Sequence, residues 1–142
     1  MKGDNGAPHR MIRVVAALIE RDGSILVCQR RRDDRFPLKW EFPGGKVEPG
    51  ETLQGALTRE LLEELDVQAQ IGRELHRADY RYTGRADFFT IAFFSASIGE
   101  QQEKNLVFES VAWAKPENLP SYDFLDANRE LIALLANGTL RV

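Results

Sequence analysis

The chain has 142 residues, 43% hydrophobic and 29% charged, with a formal net charge of -3. That length fits one domain with a sizeable core, and the charge gives no electrostatic reason to expect a nucleic-acid polymer as partner. The single cysteine, Cys28, excludes an intramolecular disulfide and a cysteine-built zinc site. No apolar run approaches the roughly 20 residues needed to cross a bilayer, so no membrane partner is expected.

Residues 1–10, MKGDNGAPHR, read as a flexible tail without the apolar stretch of a signal peptide. A single domain is expected over residues 11–142. Apolar and β-branched runs at 12–19 and 25–29 predict two strands, joined by a hairpin turn at Asp22-Gly23. Cys28, in ILVCQ, reads as a small core side chain, and a lone thiol fits a reducing cytoplasmic setting. The polar RRRDDRFPLK predicts a loop, and Trp40-Glu41-Phe42 a short strand ended by Pro43. PGGKVEPGE, with three glycines and two prolines, predicts irregular structure.

Thr52 is the expected N-cap of a helix. Leu53, Ala56, Leu57, Leu61 and Leu65 recur at steps of three and four, the period of an amphipathic helix ending near Asp66. Strands are expected from Val67 to Ile71, Glu74 to Tyr82, Phe88 to Ile98 and Val107 to Trp113, with a turn at Thr83-Gly84 and a loop at 99–105. Pro116 opens a helical turn. Asp126 is placed to cap a last helix carrying Leu131, Ile132, Leu134 and Leu135, ended by Asn137-Gly138. One helix within the chain and one at its end predict an α/β (α+β) sandwich, with a mixed sheet covered on both faces.

The helix segment TRELLEELD concentrates negative charge. Glu60 and Glu64 are one helical turn apart, a like-charge pair that costs roughly 0.2–0.5 kcal/mol. They lie about 100° around the axis from the leucine face, at the edge of the core, with Glu63 beside them. Converging carboxylates invite a hard divalent cation, which prefers oxygen ligands and offsets the repulsion. A charged, solvated helix face is the plainer explanation of the helix alone. The preceding loop supports the cation reading, though turns use the same residues: Gly44, Gly45 and Gly50 let a backbone approach a ligand closely, Lys46 adds a cation, and Arg59 is placed to pair with Glu51 or a helix glutamate.

Read together, residues 45 to 67 run G-x5-E-x7-R-E-L-x-E-E-L-D-V. This closely resembles the Nudix box, G-x5-E-x7-R-E-U-x-E-E-x-G-U, where U is apolar. Asp66 replaces the glycine of the pattern, and Asp tolerates the left-handed conformation better than most residues. WEFPGGKVE, the strand-rich start and FLDAN extend the similarity over roughly residues 11 to 136, toward the MutT branch of the Nudix hydrolases. That resemblance implies an α/β/α sandwich and a metal-dependent nucleoside triphosphate pyrophosphohydrolase, releasing nucleoside monophosphate and pyrophosphate with Mg²⁺ or Mn²⁺. It implies metal binding by Glu60, Glu63, Glu64 and the Gly44 carbonyl. Arg59 would orient the glutamates, Glu51 would stabilise the loop–helix junction, and Arg30 and Lys46 would face the phosphates.

MutT-like enzymes often place a further glutamate where this chain has Val107, so Glu100, Glu103 and Glu109 stand as alternatives for an extra ligand or base. For the base, the resemblance points to Phe42, Tyr82, Arg85 and Asn128. It favours oxidised guanine (8-oxo-dGTP), with CTP, dCTP or another triphosphate as alternative. A non-catalytic nucleotide-binding module is the alternative from another class. The expected partner is a small nucleotide, to a monomer or a homodimer.

Overall fold

The structure, a computed structural model, describes residues 10–81 and 87–142. The expected tail, Tyr82, Arg85 and the Thr83-Gly84 turn therefore lie outside the described residues, apart from Arg10. Strands β1 (Met11–Arg21), β2 (Ser24–Gln29), β3 (Trp40–Glu41) and β4 (Gly44–Lys46) precede helix α1 (Leu53–Leu65). Strands β5 (Gln70–Tyr80), β6 (Phe88–Ser97) and β7 (Ser110–Ala114) follow, and helix α2 (Arg129–Ala136) comes last.

Asp22 and Gly23 both take positive φ, as the hairpin turn requires. Yet β1 and β2 pair only beside that turn, at Glu20↔Ile25 and Arg21↔Ser24. Beyond it they diverge. β1 runs parallel to β6 along its length and antiparallel to β4, while β2 lies between β3 and β7. The sheet is mixed, as the sequence predicts.

β1 carries an unbroken buried run from Val15 to Ile19. Because strand side chains alternate between faces, Val15, Ala17 and Ile19 feed one core, with Ala56, Leu57, Leu61 and Leu65 of α1. Ala16 and Leu18 feed the other, with Leu131, Ile132 and Leu135 of α2. Each helix covers one face, giving the sandwich. Cys28 is fully buried in the α1 core.

Some boundaries differ from expectation. Gly44–Lys46 is a strand rather than irregular loop, pairing with β1 at Val14↔Lys46, Val15↔Gly45 and Ala16↔Gly44. Gly44 sits so close to β1 that a Cβ there would strike the Val15 carbonyl oxygen; the glycines that signal a turn here permit a tight strand pairing. β5 is one strand rather than two, with register irregularities between Ile71 and His76. β7 begins at Ser110, three residues later than predicted. Asp126 begins a 3-10 turn, and its carboxylate accepts from Arg129 Nε at 2.8 Å rather than capping α2.

Candidate active site

α1 is fixed at both ends as its sequence requires. Thr52 Oγ1 accepts from the Gly55 amide at 2.9 Å. Asp66 closes the helix in the left-handed conformation, φ 56, where the resembled pattern has glycine. Leu57, Leu61 and Leu65 hold the helix on the sheet, turning Glu60 and Glu64 toward β4. The Gly44 amide donates to Glu64 Oε1 at 3.1 Å, and a Cβ on Gly45 would run into the Glu60 carboxylate.

Arg59 knits the loop to the helix. Its Nε and Nη2 donate to the two Glu51 oxygens at 2.7 and 2.9 Å. Nη2 also reaches the Lys46 carbonyl at 3.1 Å, and Nη1 reaches Glu60 at 3.2 Å and Glu63 at 3.4 Å. The guanidinium and the Glu48 backbone hold the Glu51 carboxyl at about 2, well below its ordinary value.

Glu64 is pushed the other way, up to about 9, by burial first and then by the charges of Glu60 and Glu41; the Gly44 amide opposes the shift. Burial also raises Glu60, against the pull of Arg59. Glu63 is 59% exposed and turned to Arg59. Among the described residues, no three His, Cys, Asp or Glu side chains are gathered closely enough to hold an ion. The donor chemistry nevertheless fits a hard divalent cation. A half-buried carboxylate whose pKa is raised by desolvation and by neighbouring carboxylates is a site a cation relieves.

Of the α1 carboxylates Glu64 alone lines a cleft of about 420 Å³, with Glu60 against Gly45 just behind its wall. Glu41, Gly44, Gly45, Lys46 and Glu64 line one part; Phe42, Phe89, Ile91, Leu125 and Asn128 line another. Phe42 is buried against Phe124 and Phe93, at ring distances of 5.3 and 6.3 Å, so its ring is a packed wall. Asn128 is 5% exposed, and its Oδ1 is buried with no hydrogen-bond partner. The Asn128 backbone N–H donates to the Leu125 carbonyl at 3.0 Å, and the Leu125 N–H donates to the Trp40 carbonyl of β3 at 3.0 Å, which anchors the turn.

The three alternative acids are not among the residues lining this cleft. Glu103 accepts from Trp113 Nε1 at 3.0 Å and meets Arg21 at 3.5 Å. Glu109 pairs with Arg32 at 3.0 Å, which holds its carboxyl below the ordinary value. Glu100 stands in the turn after β6. Val107 does line the cleft, but as an apolar side chain. Sequence reasoning missed Glu41, whose carboxyl burial raises and whose Oε1 accepts from Arg30 Nη1 at 3.1 Å. Strand alternation carried the signal: Trp40 and Phe42 pack in the α2 core, so Glu41 projects to the opposite face.

A carboxylate-rich helix against a Gly-Gly strand, beside this cleft, fits the hydrolase of nucleotide phosphoanhydride bonds that the sequence resembles. The chain belongs to the Nudix family: the NUDIX domain matches residues 9–135. It is 36% identical over 126 residues to a CTP pyrophosphohydrolase of Escherichia coli, covering 87% of this chain and 90% of that protein. It is likewise 36% identical over 133 residues to an Escherichia coli nucleoside triphosphatase, NudI, covering 85% and 94%. An Escherichia coli protein solved in solution superposes with a TM-score of 0.73 at 35% identity, covering 91% of this chain and 94% of that one. A MutT Nudix hydrolase from Burkholderia pseudomallei, at 24% identity, shares the fold with a TM-score of 0.78, covering 88% and 98%. Among the described residues, no helix is long and apolar enough to cross a membrane.

Proposed function

We propose that this Nudix hydrolase is a nucleoside triphosphate pyrophosphohydrolase, releasing nucleoside monophosphate and pyrophosphate, with CTP or dCTP as preferred substrate. One observation carries the reading: a single cleft has the α1 carboxylate Glu64 and Lys46 on its wall together with Asn128, whose Oδ1 lacks a partner. Glu60, Glu63, Glu64 and the Gly44 carbonyl would hold Mg²⁺ or Mn²⁺. A bound cation supplies charge neutralisation at the phosphates and a water of lowered pKa. Arg59 and Glu51 keep the glutamates in place. Lys46, on the cleft wall, would face the phosphates.

The choice of base rests on Asn128. A carboxamide offers a donor and an acceptor side by side; with Oδ1 toward the exocyclic position it accepts from the amine of cytosine and its NH₂ donates to the ring nitrogen, whereas uracil would set O4 against Oδ1, acceptor against acceptor. The similarity to a CTP pyrophosphohydrolase supports this over oxidised guanine. Oxidised guanine is the second reading. Its N7–H beside O6 offers the amide the same kind of pair, whereas undamaged guanine presents two acceptors there.

The test is hydrolysis of CTP, dCTP, UTP, dGTP and 8-oxo-dGTP with Mg²⁺ and with Mn²⁺, products identified. Pyrophosphate and a preference for CTP over UTP of about 10-fold or more in kcat/KM are expected. Orthophosphate as the product rejects the pyrophosphohydrolase reading. Equal rates for CTP and UTP reject the cytosine preference, and equal rates for dGTP and 8-oxo-dGTP reject the oxidised-guanine one.

A further inference from the structure

Residues 30–39, between β2 and β3, form a cationic wall of the cleft, to which Arg30, Arg31, Asp34, Arg35 and Phe36 all contribute. The cations are not equivalent. Arg30 is committed to the protein on every nitrogen: Nε donates to the Arg35 carbonyl at 2.6 Å, Nη1 to Glu41 at 3.1 Å, and Nη2 meets Asp34 at 3.2 Å. Its backbone closes the segment, donating to the Lys39 carbonyl at 2.8 Å and accepting from Leu38 at 3.2 Å. Within the closed segment Phe36 and Leu38 stand at φ 50 and 63, a region bulky side chains adopt only where the surroundings fix them.

Arg35 is the product of this arrangement. It is exposed at the cleft wall, its guanidinium 5.4 Å from the centroid of the Phe36 ring. Among the described residues its side chain meets no carboxylate. Arg31 has a contact of its own, with Asp33 at 3.8 Å. A guanidinium laid on an aromatic face keeps its N–H edge available, and that edge matches two phosphate oxygens at once.

Resting on the nucleotide reading above, we propose that Arg35 is a substrate-contacting residue that takes the phosphate tail of the nucleotide. Arg30, by contrast, gives its donors to the loop. The tail is the anionic part of such a substrate, whereas the bases are neutral. The contact chain Arg35–Arg30–Glu41 ties this cation to the part of the cleft shared with Glu64.

The experiment measures binding of inorganic tripolyphosphate, with Mg²⁺ present, to the wild-type protein, Arg35→Ala and Arg35→Gln. Tripolyphosphate carries no base, so it reads the phosphate contact alone. Both variants are expected to bind about 10-fold more weakly, the scale of one charge-assisted hydrogen bond, with unchanged melting temperature because Arg35 holds its loop through backbone atoms. Affinity within twofold of wild type in Arg35→Gln overturns the proposal, as does a wild-type protein that does not bind tripolyphosphate. Arg35-dependent binding in a protein that hydrolyses none of the five nucleotides rejects the pyrophosphohydrolase reading and leaves this contact standing.

Discussion

Arg59 and Glu51 are joined by two hydrogen bonds, Nε to Oε2 at 2.7 Å and Nη2 to Oε1 at 2.9 Å. The paired fork leaves Nη1 for Glu60 and Glu63. Glu51 therefore sets the position of two other carboxylates through the arginine. Glu51→Gln keeps the size and loses the charge, and kcat is expected to fall about 10–100-fold, the usual cost of removing a group that orients metal ligands. The same variant changes acid stability. Because the folded-state pKa lies below the ordinary 4.5, at about 2, the wild-type contribution is present above 4.5 and is lost as pH falls through about 2. Urea midpoints measured between those pH values should fall less steeply in Glu51→Gln.

Glu64 has the opposite sign. In the metal-free protein its pKa stands at about 9 against an ordinary 4.5, so the folded state holds a proton that the unfolded chain releases. Its contribution to stability is present below 4.5 and is lost as pH rises through about 9. The pH dependence of stability over that window should flatten in Glu64→Gln. Cation binding competes with the same proton, so Mg²⁺ affinity should rise with pH over this range. Turnover in Glu64→Gln and in Glu63→Gln should drop by about two orders of magnitude or more while the melting transition stays cooperative. Unchanged metal-dependent turnover in both variants removes these residues from the site.

The two glycines of β4 separate folding from function. At Gly44 a Cβ meets backbone of Val15 and Ala16, which cannot move without parting β4 from β1. Gly44→Ala should lower the melting temperature sharply and reduce soluble yield. At Gly45 the Cβ meets the far end of the Glu60 side chain, which can swing away. Gly45→Ala should stay folded yet lose activity, because the displaced carboxylate is one of the proposed ligands. A comparison of thermal melts and kcat for the two variants checks both statements.

The contrast also explains what the sequence made legible. α1 was readable end to end, since Thr52, the leucine spacing and Asp66 act within one segment and their effects are local. The carboxylates of that helix followed from its periodicity. β4 was not readable, because its pairing is with residues 14–16 and the local glycines signal a turn. Glu41 escaped notice for a related reason: alternation shows only that it faces away from Trp40 and Phe42, and Arg30 and the half-buried Glu64 give that face its meaning. Neither Val107 nor the acids near it can be assigned from spacing. Glu103 and Glu109 are drawn to Arg21 and Arg32, some 80 residues earlier in the chain.

Asn128 offers the sharpest test of base selection. It is buried at the cleft with its Oδ1 lacking a partner, a state that costs free energy unless a ligand supplies a donor. A good two-bond amide–base pair is worth about 1–3 kcal/mol of discrimination. Asn128→Ala removes that pair, leaving a methyl beside Ala127 in the cleft wall. The kcat/KM for CTP should fall about 10–100-fold, that for UTP should change far less, and the ratio between them should approach one. The α1 carboxylates are untouched by the substitution, so hydrolysis of whatever triphosphate binds should keep its dependence on Mg²⁺. If the CTP to UTP ratio in Asn128→Ala equals that of the wild type, the amide does not read the base, and selection must come from the apolar walls at Phe89 and Ile91.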